Sequence, residues 1–354
     1  MEDTTQPDID GIALCAHCFS DRGLRLMALN FEGHKVACSN CGQTSPHGLN
    51  RGQLLALSDA FFVRGSAIAT DYGGAPRIQF NEHQTGSLEP DPTLTQDVEL
   101  LQRTLGIGFF HYGPRLWMLG HIEPLDDLRS EEKRDATIDR ILAEYPAVQL
   151  STEEFHRVRK APAKPADHLE YDAPPEGCYG TGRLDAPGRP VLYASQDAEI
   201  CVHESRFMAA DELYIATLRS AGNLKLLDLS VILKEDKTEF ESLDLAVLMV
   251  FLAQSHSYPV SRRIAEAVQA AGFDGLIYPS YFSILRTGGN PFETVYGLST
   301  RRFGQAEQYE RSKIIGNLAL FGRPIASGKV QVVGMNRLSI EQVRYKMIFG
   351  PVTY

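Results

Sequence analysis

Four of the chain's six cysteines sit in two tight pairs, Cys15-Ala16-His17-Cys18 and Cys38-Ser39-Asn40-Cys41. A C-x-x-C turn aims two thiolates at one point, and two such turns complete a tetrahedron around zinc. The spacer between the pairs suits a zinc-ribbon-like site. Four thiolates close the shell and leave no position for a substrate water, so the expected Zn2+ is structural. A redox pair is the other chemistry open to such turns. His17, His34 and His47 could each replace one ligand, but they read as polar surface residues. The cations nearby are Arg22, Arg25 and Lys35, interleaved with acids. A folding staple or a protein contact is therefore expected of this module, rather than a grip on nucleic acid.

A second group of reactive residue types lies between Cys178 and Phe207. A Gly/Pro-rich loop offers Arg183, a short apolar strand carries Tyr193, and Ser195 or Asp197 caps a helix holding Glu204. Ile200, Glu204, Phe207 and Met208 fall at i, i+4, i+7 and i+8, which puts the carboxylate on or beside an apolar stripe. A carboxylate there is costly unless paired. One reading is a buried ion pair with Arg206 or an arginine elsewhere; the other is a catalytic carboxylate held at a pocket wall. Further on, the pattern predicts a helix over 261–271 with Ser261 as N-cap and Gly272 as a left-handed C-cap. Asp274-Gly275 then turns into a strand, Leu276-Ile277-Tyr278, ended by Pro279-Ser280. Taken alone, Ser280 is a turn residue.

These groups need a scaffold. A chain of 354 residues with 43% apolar content can bury more than one core. Helices are expected over 50–64, 95–105 and 130–145, the last with Ser130 as cap. Residues 72–92 read as loop or weak strands, and 152–159 as a helix end running into a strand. The proline-rich stretch 161–177 is either an interdomain linker or a long active-site loop. Strands are expected again over 328–333 and 343–349. Arg77 and His83 have a spacing used by some helical ribonucleases, although their surroundings do not look helical. The net charge of −10 argues against holding nucleic acid by broad phosphate neutralisation. The acidic, polar start lacks the apolar stretch of a secretory signal. The longest apolar run, 245–253, is far shorter than the roughly 20 residues that span a bilayer. A soluble, cytoplasmic protein without membrane contact is expected.

The order arginine, strand tyrosine, helical glutamate resembles the RES domain, a family named for an arginine, a glutamate and a serine. The aromatic-arginine strand Phe155-His156-Arg157-Val158-Arg159 and the segment Gly182-Arg183-Leu184-Asp185-Ala186-Pro187-Gly188 fit that pattern. So does Asp274-Gly275-Leu276-Ile277-Tyr278-Pro279-Ser280, which matches the family's serine to Ser280, with Ser283 as the alternative. The segment Gly288-Gly289-Asn290-Pro291-Phe292 is similar to the family's glycine-rich piece. The resemblance covers roughly residues 152 to 350. It implies an α+β chain: a zinc-binding cysteine module over 1–50, a mostly helical region over 51–150, and an ADP-ribosyltransferase-like domain over 151–354. That domain would be a mixed or antiparallel sheet with flanking helices.

The resemblance also implies cleavage of the nicotinamide–ribose bond of NAD+, as substrate, by a toxin-like enzyme. Arg183, Tyr193, Glu204 and Ser280 would be catalytic, and Arg157, Arg183, Tyr193 and Ser280 would bind NAD+. Arg183 and Arg157 would hold the diphosphate, Tyr193 would stack on nicotinamide or donate from its hydroxyl, and Ser280 would bind the amide or a phosphate. Glu204 would stabilise the charge that develops on ribose. The acceptor stays open between water (glycohydrolase), phosphate (phosphorylase) and a protein side chain (ADP-ribosyltransferase). An antitoxin or regulatory protein is the implied partner. The alternative of another class is a zinc-ribbon adaptor with a catalytically silent RES-like half.

Overall fold

The computed structural model describes residues 13–175, 177–178, 182–234, 237–289, 294–295, 298–299 and 304–352. It forms two compact units, one of Met1–Thr70, Gly74–Leu119 and Tyr345–Tyr354, the other of Asp71–Gly73 and Gly120–Arg344.

In the first unit, β1 (Leu14–Cys15), β2 (His34–Ala37) and β3 (Thr44–Leu49) make a small sheet in the order β1-β3-β2. Helix α1 (Arg22–Leu29) starts on Asp21, whose carboxylate accepts from Leu24 N. Helix α2 (Arg51–Ser58) starts on a reciprocal Asn50/Gln53 capping box. It loosens to a π turn over Asp59–Val63, so the helix expected to Arg64 ends early as an α-helix. Short strands β4 (Ile68–Thr70), β5 (Gly73–Ala75) and β6 (Ile78–Asn81) follow. Helix α3 (Pro92–Leu105) has Pro92 in its first turn and stops at Gly106, at φ 69°. Strand β7 (Gly108–His111) pairs with β6. Leu14, Phe19, Leu49, Phe62, Leu101 and Phe109 form the core, and Cys15 and Cys38 are buried within it. Arg77 and His83 flank strand β6 rather than share helices, which removes the ribonuclease arrangement.

The second unit opens with α4 (Glu123–Arg129) and α5 (Arg134–Glu144). Ser130 is the C-cap of α4, not the N-cap of one long helix. Strands β8 (Ala147–Leu150), β9 (Glu154–Lys160), β10 (Val191–Ser195), β11 (Leu213–Ser220) and β12 (Leu224–Asp228) follow, with α6 (Ala198–Glu204) after β10. A strand, not a helix end, therefore precedes residue 152. Helices α7 (Leu243–Leu252) and α8 (Tyr258–Ala270) lead to β13 (Gly275–Pro279) and α9 (Ser283–Thr287). Short strands β14 (Thr294–Val295) and β15 (Leu298–Ser299), helix α10 (Gly304–Ser312), β16 (Gly316–Phe321) and β17 (Val330–Leu338) complete it.

Its sheet runs β17-β11-β9-β10-β16-β13-β12-β8. The pairs are antiparallel except for β12 with β13, which α7 and α8 join. The chain is thus α+β, with a mixed sheet. Residues 161–177 are no linker between the units. Tyr171 is fully buried there, and the Asp172 carboxylate accepts from Ile325 N and Ala326 N. The apolar run at 245–253 is the buried helix α7, and no helix among the described residues is long and apolar enough to cross a membrane. Residues 343–349 form no strand.

Candidate active site

The three central strands bring a polar row to one face. Ser195 on β10 stands opposite Asn317 on β16, which stands opposite Tyr278 on β13. Side chains alternate along a strand, so the neighbours Leu318 and Leu320 turn to the other face and join the core with Leu192. Strand β10 meets β9 at one register position, Ser195 with His156. Beyond it Arg157 spans the pair, donating through Nη1 to Tyr193 O at 2.9 Å and through Nη2 to Asp172 O at 3.2 Å.

Glu204 is the last residue of α6. Asp197, not Ser195, caps that helix, accepting from Glu199 N and Ile200 N. Ser205 and then Arg206, at φ 52°, break the turn, so the apolar stripe does not continue and Met208 is 65% exposed. The carboxylate is not in an ion pair with Arg206. Its Oε1 accepts instead from Ser280 Oγ and from Asn317 Nδ2, both at 2.6 Å. Oε2 has no hydrogen bond among the described residues. Ser280 follows β13, and its own oxygen accepts from Phe282 N. Ser283 is occupied elsewhere, donating to Ser280 O and accepting from Ile315 N.

Two chambers, of about 370 and 440 Å³, share the wall made by Tyr193, Glu204, Ser205 and Tyr278. The first holds Arg157, Arg159 and Asn317; the second holds Arg183, Tyr258 and Phe282. Burial, reinforced by the charge of Arg159, pushes the Arg157 guanidinium down to about 10, still protonated at neutral pH. The Nε groups of Arg157 and Arg159 are buried without partners. Arg157, Arg159 and Lys160 give the lining of the first chamber its positive charge.

Arg183 is more constrained than a free phosphate anchor. Nη1 donates to Val250 O and Nη2 to Ala253 O, at the end of α7, and the guanidinium lies 4.9 Å from the Tyr258 ring centre. Nε and one Nη2 hydrogen remain for a ligand. Ser261, inside α8 rather than at its start, donates to Arg183 O. Tyr193 fixes the same loop: its hydroxyl accepts from Leu184 N and Asp185 N and donates to Asp185 Oδ1. Burial and the Asp185 charge hold its phenol well above the usual range, so it stays neutral. The Cys201 thiol, pushed up to about 12 by burial, is no nucleophile at neutral pH.

The site thus brings Arg157, Tyr193, Glu204 and Ser280 together and sets Arg183 in the adjoining chamber. Sequence reasoning missed Asn317 and Arg159. Asn317 had one signal, a lone amide in the apolar strand Gly316-Asn317-Leu318-Ala319-Leu320. From Asn290 on, the glycine-rich piece 288–292 lies outside the described residues.

In the first unit, the four sulfurs of Cys15, Cys18, Cys38 and Cys41 lie within 4.8 Å of one another. Three of their separations are 3.6, 3.7 and 3.5 Å. A tetrahedron with metal–sulfur bonds near 2.3 Å has edges of about 3.8 Å, so the thiols fit one closed metal shell. Asn40 Nδ2 donates to Cys18 Sγ at its rim.

No curated protein matches the chain. Among solved structures, it is similar to the M. tuberculosis MbcT–MbcA toxin–antitoxin complex, at 16% identity and a TM-score of 0.34, over 57% of this chain and 91% of that one. The family model of the RES domain matches residues 154–290, a span that contains Arg157, Arg183, Tyr193, Glu204 and Ser280. Over residues 154–290 the chain is thus similar to the RES-domain family.

Proposed function

We propose that the chain consumes NAD+ by breaking its nicotinamide–ribose bond. The observation that carries this reading is Glu204. Its carboxylate sits at the wall common to two chambers, held by two neutral donors on one oxygen, with no ion pair to it among the described residues. A carboxylate placed in this way can face the reacting centre of a bound ligand.

The bond joins a cationic ring nitrogen to the ribose C1′. When it breaks, its electron pair leaves with neutral nicotinamide, and positive charge spreads over C1′ and the ring oxygen. Glu204 is positioned to stabilise that charge and to accept from a ribose hydroxyl through Oε2. Ser280 orients Glu204 rather than touching phosphate. Arg157 and Arg159 would take the diphosphate in the first chamber. Tyr258, Tyr281 and Phe282 give the second chamber aromatic faces for the leaving ring. The acceptor then adds to C1′ and loses a proton: water gives ADP-ribose, phosphate gives its 1″-phosphate. An enzyme that drains NAD+ requires restraint, so an antitoxin-like partner is part of this proposal. The cysteine site would hold Zn2+ and take no part in the chemistry.

The test is nicotinamide release from NAD+ by the purified chain, with and without phosphate, beside folded Glu204→Ala. Release should fall by at least about 100-fold in the variant, the usual scale for loss of an electrostatic stabiliser. A phosphate requirement would identify a phosphorylase. Equal release by both proteins would refute the role of Glu204, and no release by either would favour the adaptor.

A further inference from the structure

Arg157 is 6% exposed, and its printed anchors are two carbonyls rather than a carboxylate. A buried charge is costly unless it is well held. Tyr193 O takes Nη1 where β10 has parted from β9, and Asp172 O takes Nη2. The second anchor is more than a neutral carbonyl. The peptide group joining Asp172 to Ala173 gives its C=O to Arg157 and its N–H to Asp172 Oδ1, the latter at 2.8 Å. A trans peptide points these two groups in opposite directions, so the unit is held from both ends. Negative charge on the N–H also strengthens the C=O as an acceptor. The carboxylate itself is buried and fixed. Ile325 N donates to Oδ1 at 3.3 Å, Ala326 N donates to Oδ2 at 2.8 Å, and Arg323 Nε lies 3.7 Å from Oδ2. Tyr171 and Ala173, on either side of it, are in the core. Burial and the charge of Arg159 pull the Arg157 guanidinium down, and the charge of Asp172 opposes them.

We infer that Asp172 is a positioning residue for the substrate's diphosphate, acting through one peptide group to hold Arg157 at the wall of the first chamber. The inference rests on the NAD+ reading above, in which Arg157 takes the diphosphate. Asp172 lines neither chamber, so its effect on substrate passes through Arg157. The proline-rich stretch 161–177 thereby gains a part in the site. It supplies a buried charge and a fixed carbonyl to a residue that spans the gap between two strands.

The experiment compares wild type, Asp172→Asn, Arg157→Lys and the double variant, each checked for folding by thermal unfolding. The substrates are NAD+ and nicotinamide riboside, which has the same scissile bond without the diphosphate. Asp172→Asn keeps the shape of the side chain and removes its charge. It should raise KM for NAD+ about 10-fold with kcat within about 2-fold, the pattern of lost uniform binding. Its kcat/KM for the riboside should stay within about 2-fold of wild type. In the Arg157→Lys background the same change should cost no more than about 2-fold, because the guanidinium it positions is gone. Asp172→Ser, smaller and still an acceptor, gives the same readings if the asparagine variant does not fold. Riboside cleavage that falls as far as NAD+ cleavage would overturn the inference and leave Asp172 a support of the fold. So would a fall in kcat with KM unchanged, or a full penalty in the Arg157→Lys background; that last comparison decides alone if wild type does not cleave the riboside. A wild type that releases no nicotinamide from NAD+ would instead overturn the proposed function, and this inference with it.

Discussion

Ser280 and Ser283 are three residues apart and do different work. Ser280 gives its proton to Glu204 Oε1, while Ser283 ties Ser280 O to Ile315 N. Ser280→Ala therefore leaves Asn317 as the one donor on Oε1, and the carboxylate gains freedom to turn. We predict a fall of roughly 10-fold or more in kcat with KM nearly unchanged, the pattern of an interaction that matters in the transition state. Ser283→Ala should instead cost about 1 kcal/mol of stability, a lost buried hydrogen bond, with kcat close to wild type. Steady-state kinetics and thermal unfolding on both variants check the contrast; kcat falling equally in the two would refute it. At this scale the sequence was informative where chemistry and spacing coincide. The position of Glu204 on α6 exposed it as costly, whatever its partner. The partner was invisible, because Asn317 is 113 residues away and only the β10-β16-β13 pairing brings it close. The engagement of Arg183 with α7 was hidden for the same reason.

The element that aims Glu204 is short, and its two ends do the aiming. Asp197 caps α6 and is also clamped by Arg286, at 2.9 Å. Burial alone would raise the Asp197 pKa, but the Ile200 N–H and Arg286 together bring it below its ordinary value. A carboxyl with a lowered folded-state pKa adds stability above its unfolded pKa and loses it as pH falls through the folded one. Asp197→Ala should thus cost about 1 kcal/mol at neutral pH, the common price of a lost N-cap. The gap to wild type should hold from pH 7 to 5 and close below about pH 4. Urea unfolding at several pH values measures this; a gap that stayed constant to pH 3 would refute the assignment. Helix limits were legible at the end of α3, Leu105, while its start at Pro92 precedes the expected residue 95. They were misread where two signals competed. Ser261 looks like a cap before an apolar periodicity, yet α8 starts at Tyr258 and takes Pro259 into its first turn, where a missing N–H costs nothing.

At the scale of the whole molecule, residues 345–352 return to the first unit, and this was not legible. Val343, Tyr345 and Met347 alternate like a strand, but Tyr345 is 86% exposed, and nothing in the pattern says that Phe349 packs on the first unit's core. Gly65 and Gly350 approach so closely that a Cβ on either would meet the other's backbone at 2.5 Å or less. The cysteine site sits inside that same core. Cys15 and Cys38 are buried among Leu14, Phe19, Leu24 and Leu49, not hung on a peripheral loop. Structural zinc in small modules supplies about 10–16 kcal/mol, as much as the roughly 5–15 kcal/mol that holds a typical domain together. Vacating this site, with two of its four thiols in the core, would therefore loosen the unit as a whole, α3 and the β6–β7 pair included, not β1–β3 alone. We predict one zinc per chain. Cys18→Ser or chelation should erase hydrogen-exchange protection across residues 14–111, while Cys178→Ser, at an exposed thiol, leaves metal content unchanged. Protection that survived metal removal throughout α3 and β6–β7 would show that the apolar core holds this unit without the site.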